Sequence, residues 1–154
     1  MEVESVLIAE DQLLVQAIVR RHMRSLAQYV SDSFPWPNGD SSVSEAVFQS
    51  LAGEERDALA PLLSLLNRAG APAPYLGSYP MAFTSSNFVS LAHMVPELKA
   101  HDRQAAKQLE QDIARLKDAE ARDLAGGLLE MLKRHIQRLD SIQASLAEPS
   151  GAVL

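Results

Sequence analysis

A chain of 154 residues with a formal charge of −6 is long enough for one domain that buries about 70% of the surface its unfolded form exposes. Charges of both signs are spread along the chain without a clustered basic face, which argues against nucleic acid as a partner. There is no cysteine, so disulfides, thiolate catalysis and iron–sulfur or zinc–thiolate sites are excluded. The opening MEVESVLIAEDQ is acidic where a signal peptide is basic, and no apolar run approaches the ~20 residues that span a bilayer. A cytoplasmic protein without a membrane partner is therefore the expectation. Leucine and alanine dominate, aromatic residues are 5%, and no alternating valine-rich segment occurs, which predicts an all-α fold.

From about Val3 to Ser33 there is neither proline nor glycine, and Leu7, Leu14, Val15, Ile18, Leu26, Tyr29 and Val30 recur on one face. This predicts one long first helix. Pro35 and Pro37 end it, in a compact turn where Trp36 caps the end of the core. Ser42 to Glu45 reads as a capping box, opening a second helix over about 42–68 with Val47, Leu51, Ala58, Leu62, Leu65 and Leu66 inward. Pro61 predicts a bend or a boundary within it.

The stretch Ala71 to Asn87, APAPYLGSYPMAFTSSN, joins two helical halves. Loops above about twelve residues are uncommon without a purpose. At ~3.3 Å per extended residue this one reaches the full length of a helical pair. That selects two antiparallel helix hairpins joined by one long crossover, and it predicts that Tyr75, Tyr79 and Phe83 pack against the outer groove of the bundle. Ser85, Ser86 or Asn87 then caps a third helix, over about 86–116, carrying Leu91, Met94, Leu98, Ala105, Leu109, Ile113 and Leu116. Lys117-Asp118 forms a tight turn with Asp118 as N-cap of a fourth helix, over about 118–147, which presents Leu124, Leu128, Met131, Leu139, Ile142 and Leu146. The expected organisation is one bundle over residues 1–148 with a tail over 149–154.

Extending each apolar stripe by helical steps places one polar group inside each helix: His22 on the first, Glu54 with Asp57 beside it on the second, His101 on the third and His135 on the fourth. Their heights along the helices agree to within ~8 Å at 1.5 Å per residue. Neutral imidazoles with a carboxylate suit one transition metal ion such as iron, zinc or manganese. The same residues also read as a hydrogen-bonded polar core, a buried carboxylate paired with imidazolium.

In topology and in the positions of these residues the chain resembles the ferritin-like superfamily of four-helix bundles, whose dinuclear centre takes a glutamate from helices one and three and a Glu-x-x-His from helices two and four. The segment GSYPMAFTSSNFVSL, with the preceding helix end, also resembles bacterial ferritin-like proteins without an established activity. The ligand pattern departs from the family. His22 and His101 stand at glutamate positions, Glu54-x-x-Asp57 replaces Glu-x-x-His, and Leu132-x-x-His135 lacks its glutamate. Two metal ions need bridging carboxylates to offset their charge, so a di-iron oxidase or ferroxidase is disfavoured and at most one metal is expected, held by His22, Glu54, His101 and His135 with Asp57 as a further ligand. The competing reading is a metal-free helical scaffold or interaction protein that self-associates, in which the site is a relic. The sequence points to no substrate and no catalytic residue.

Overall fold

The computed structural model describes residues 7–33, 45–86 and 90–147, and within them the chain is helical with no strand. The helices are α1 (Ala9–Met23), α2 (Leu26–Ser33), α3 (Glu45–Arg68), α4 (Leu91–Arg115) and α5 (Ala119–Ala147), with a short 3-10 helix at Met81–Ser86 before α4. No helix among the described residues is long and apolar enough to cross a membrane. The turn around Trp36, Ser42 of the capping box, Asn87 as a cap and the 149–154 tail lie outside the described residues.

The first helix expected over 3–33 is two helices. The chain breaks at Arg24 and Ser25, where Arg24 leaves helical geometry at φ −118° and ψ 29°. Ser25 restarts the helix, its Oγ accepting from the Gln28 amide at 3.3 Å as an N-cap oxygen does. A break of this kind leaves no proline or glycine as a signal in the sequence. By contrast α3 runs through Pro61 without interruption; the ring is exposed, so the carbonyl left without a partner lies on the solvent side. The helix ends in a Schellman closure: Gly70 takes φ +73°, and Ala71 N–H reaches Leu66 O at 2.9 Å, satisfying a carbonyl that the last turn leaves open. The fourth long helix, α5, starts as expected, with Asp118 Oδ2 accepting from Ala121 N–H at 2.9 Å. The cap of α4 is a correction. It is Ser90, bonded to the His93 amide at 3.2 Å, whereas Ser85 and Ser86 belong to the 3-10 helix.

Side-chain pairs give the relative directions. Ser31 meets Gln49 while Ser25 meets Glu55, so α1 and α2 run antiparallel to α3. Arg138 meets Ser50 while Arg68 meets Glu120, making α3 antiparallel to α5. The tight turn at Leu116 to Asp118 folds α5 back on α4, with Lys99 paired to Asp140. Arg21 pairs with Asp112 while His101 receives the Leu26 amide, so α1 and α4 are also antiparallel. Two buried clusters fill the interior. One joins Val15, Ile18, Leu62, Leu66, Leu109 and Leu128; the other joins Val30, Phe48, Leu51, Met94, Leu98 and Leu139. The polar site described below sits where they meet.

The connection from α3 to α4 climbs along α1 and α2. Gln16 Nε2 donates to Pro72 O, Arg24 Nε donates to Gly77 O, and Tyr79 OH donates to Asp32. Partners rising together in number mean the segment runs with α1 and α2, against α3. Tyr79 and Phe83 pack on Tyr29 with ring centroids 5.3 and 5.7 Å apart, and Arg24 lies over the Tyr79 ring at 4.8 Å. The expectation fails for Tyr75, which is 85% exposed.

Asp11 ties α1 to the turn between α4 and α5. Fully buried on α1, it accepts from the amides of Lys117 and Asp118 at 3.2 and 2.8 Å. Alanine there takes the acceptor away from those amides at a half-buried turn, and the expected loss of unfolding free energy is about 2 kcal/mol. Urea titration checks it. A loss below about 0.5 kcal/mol would show that the turn finds other acceptors.

Candidate functional site

The buried carboxylate at the middle of the fold is Glu55. The stripe on α3 runs Phe48, Leu51, Ala52, Glu55, Leu59, Leu62, so the step inward from Leu51 is four residues rather than three. At 3.6 residues per turn the two choices diverge by about 100°, which carries Glu54 to the rim. Its side chain is 42% exposed. Asp57 is exposed as well and joins nothing at this level. The same slip occurs on α4, where the series Met94, Val95, Leu98, Asp102, Ala106, Leu109 buries Asp102 and leaves His101 partly buried.

Glu55 is 2% exposed and fully engaged from the helix break. Ser25 Oγ donates to Oε1 at 2.6 Å, Gln28 Nε2 donates to the same oxygen at 3.0 Å, and His22 Nδ1 lies 3.1 Å from Oε2. Gln28 Nε2 can only donate, its Oε1 accepting from Arg56 at 2.7 Å; an ionised carboxylate only accepts, so His22 donates to it from Nδ1. Its Nε2 is then left with a lone pair, buried and without a partner. The break between α1 and α2 is what brings serine, glutamine and histidine onto one carboxylate.

Three further titratable groups feel the Glu55 charge. Burial pushes the His101 imidazole below its usual range, against the pull of Glu55. Burial likewise lowers His135, with Glu54 and Glu55 opposing. Asp102, 4% exposed, is pushed up to about 8 by burial and then by the Glu55 charge; it makes no side-chain hydrogen bond with a described residue. On the rim, Glu54 accepts from Ser50 at 3.0 Å and meets His135 Nε2 at 3.3 Å and Arg138 at 3.6 Å. Partial burial raises it, but the Ser50 bond, His135 and Arg138 together hold its carboxyl below the usual value.

Of the histidines singled out in the sequence, His22 bonds Glu55 and His101 feels its charge, whereas His135 pairs with Glu54 at the rim; Asp57 stands apart. Ser25, Gln28, Glu55 and Asp102 were not anticipated. For Glu55 and Asp102 a signal existed in the alternative helical register; for Ser25 and Gln28 it did not, because their roles depend on the helix break. Among the described residues no group of three or more histidine, aspartate or glutamate side chains is arranged to hold a metal ion. A two-metal centre does not fit the donors present. The Glu55 oxygens accept protein hydrogen bonds, burial favours the protonated form of Asp102, and Glu54 is turned to the rim.

Comparison with protein-family models, with curated proteins and with solved structures returned no significant match.

Proposed function

We propose that this chain is a four-helix bundle of the ferritin-like arrangement that works as a metal-independent helical scaffold or interaction protein. The arrangement is supported by the helix pairings: α3 and α4 are each antiparallel to α5, so they run in the same direction, and the long connection between them returns along α1 and α2. The reading of the core rests on one observation, the engagement of both Glu55 oxygens by Ser25, Gln28 and His22. A buried carboxylate that accepts from the protein on both oxygens stabilises a fixed geometry of the helix break, and an ion there competes with those donors. Leu13 and Tyr75, both largely exposed, share a surface groove with Pro72 and Pro74, which favours self-association through that face.

A second reading, one transition metal ion bound in part by His22, is favoured by the unpartnered Nε2. Its Nδ1 bond to a carboxylate is the orientation that metal-binding histidines commonly have. Elemental analysis of protein purified without a chelating tag separates the two. The scaffold reading expects less than about a tenth of an equivalent of iron, zinc or manganese and no rise in Tm when any of them is added. Close to one equivalent, with a Tm rise that His22→Ala abolishes and that fades below about pH 6 as the imidazoles protonate, would replace it with the second.

A further inference from the structure

The outer face of α1 is left uncovered by the rest of the described fold. Asp11, Leu14, Val15, Ile18 and His22 turn inward, and the opposite stripe, Ala9, Glu10, Leu13, Ala17 and Arg20, is exposed. The connector forms a wall beside it, so that Leu13, Ala17 and Arg20 share a groove of about 610 Å³ with Pro72, Pro74 and Tyr75. Leu13 is 68% exposed and Tyr75 85%, which leaves two large apolar side chains in water on one face. We propose that this face docks a second copy of the chain, with the two α1 helices antiparallel and facing each other about the level of Val15. The proposal rests on the self-association reading above and gives it a geometry.

Shape is the first argument. Leu13 stands one helical turn from Ala9 on one side and from Ala17 on the other, so a protruding side chain is flanked by two shallow places where a neighbouring helix can come close. In an antiparallel pair centred on Val15, Leu13 of each copy lies level with the partner's Ala17. Both leucines are then seated at once, as a two-fold interface requires. The connector rises with α1, Pro72 beside Gln16 and Gly77 beside Arg24, which sets Tyr75 near the level of Arg20. Across the same axis it comes level with the partner's Glu10 and the partner's Ala9.

Charge is the second argument, and it selects the occupant. Arg20 has neither a hydrogen bond nor an ion pair among the described residues. Glu10 meets Lys117 at 3.6 Å in a loose pair on the surface. Residues 10 and 20 are centred on Val15, just as 13 and 17 are, so the register that seats the leucines also sets each Arg20 against the partner's Glu10. A parallel pair would put like charge on like charge, and an acidic peptide would meet Glu10 as well as Arg20. Exposed pairs of this kind set direction and register more than affinity.

The test is sedimentation equilibrium of the full chain, where an interface of one helix and one loop segment is expected to give a Kd on the order of 10 to 100 µM. Leu13→Glu, at an exposed helical position that the fold does not need, is expected to weaken association at least about tenfold. Glu10→Arg and Arg20→Glu should each weaken it about threefold or more, and the two together should return it to within about twofold of the starting value. Direction is read by cross-linking, because the chain has no cysteine of its own. An equimolar mixture of Leu13→Cys and Ala17→Cys should oxidise to a mixed disulfide. Neither variant should link to itself, since identical positions are then offset by about 6 Å along the axis and lie beyond the reach of a disulfide. A chain that stays monomeric at every concentration, a Leu13→Glu variant that associates as before, a double charge exchange no better than the single ones, or Leu13→Cys linking to itself faster than the mixture links each overturns the proposal. Association that survives Leu13→Glu removes this geometry and leaves self-association standing; a monomer removes both, and the metal-independent reading is decided by metal content in either case.

Discussion

Replacing Glu55 by alanine is expected to destabilise the fold by about 3 to 5 kcal/mol, because it removes one partner of a buried, charge-assisted network and leaves the others behind. Ser25 Oγ, Gln28 Nε2 and His22 Nδ1 all lose their acceptor, and none of these residues is more than 3% exposed, so water does not readily replace it. The network also defines the break between α1 and α2, so the loss should extend to the docking of the 71–80 segment, which is held by Arg24 and Gln16. Glu54→Ala is the control. On the rim, with bonds to Ser50 and His135, it should cost no more than about 1 kcal/mol. Urea unfolding of the two variants decides the matter: equal losses, or a larger loss for Glu54, would return the central carboxylate to the position read from the sequence.

Asp102→Asn is expected to stabilise the protein at pH 8 by about 2 to 3 kcal/mol and to change little at pH 4. The sign follows from where the proton is held. The folded chain keeps Asp102 protonated up to about 8, whereas the unfolded chain releases that proton near its ordinary value of 3.8. Between those limits the unfolded state binds fewer protons, so stability contributed by this group is full below about pH 4 and is lost as pH rises towards 8. The interval sets a ceiling on the order of 5 kcal/mol, which relaxation and water entry reduce. His101 and His135 act in the opposite sense, since burial lowers both; their contribution is full above the unfolded histidine value and is lost on acidification. The difference between wild type and Asp102→Asn cancels the histidine terms to first order. Urea titrations of both proteins from pH 4 to pH 8 test the prediction, and two parallel stability profiles would show that Asp102 ionises normally.

These two variants bear on the same question of helical register. Spacing alone placed Val15, Ile18, Leu62, Leu109, Leu128 and Met131 inside, and they are buried, because an apolar face tolerates a rotation of half a residue and still buries most of its members. A single polar residue has no such tolerance. Glu54 and Glu55 stand next to each other, as do His101 and Asp102, and a stripe can be continued through either by a step of three or of four. Which neighbour turns inward depends on how the whole helix is rotated against its partners, and that is a property of the packed set.

Composition and periodicity by themselves determined an all-helical chain, the turn capped by Asp118, an end of the second long helix near residue 68 and a connector long enough to return along the helices. Each is local: a capping oxygen, a glycine able to adopt positive φ and a length of chain act within a few residues of themselves. Only the tertiary structure decided that the first helix breaks at Ser25, that Glu55 is the central acid and that Asp102 is buried beside it. The break lacks a breaker residue because its stabilisation comes from α3, thirty residues away, where Glu55 accepts from Ser25; a hydrogen bond across that separation leaves no periodic trace in the sequence, and it forms only when two helices meet.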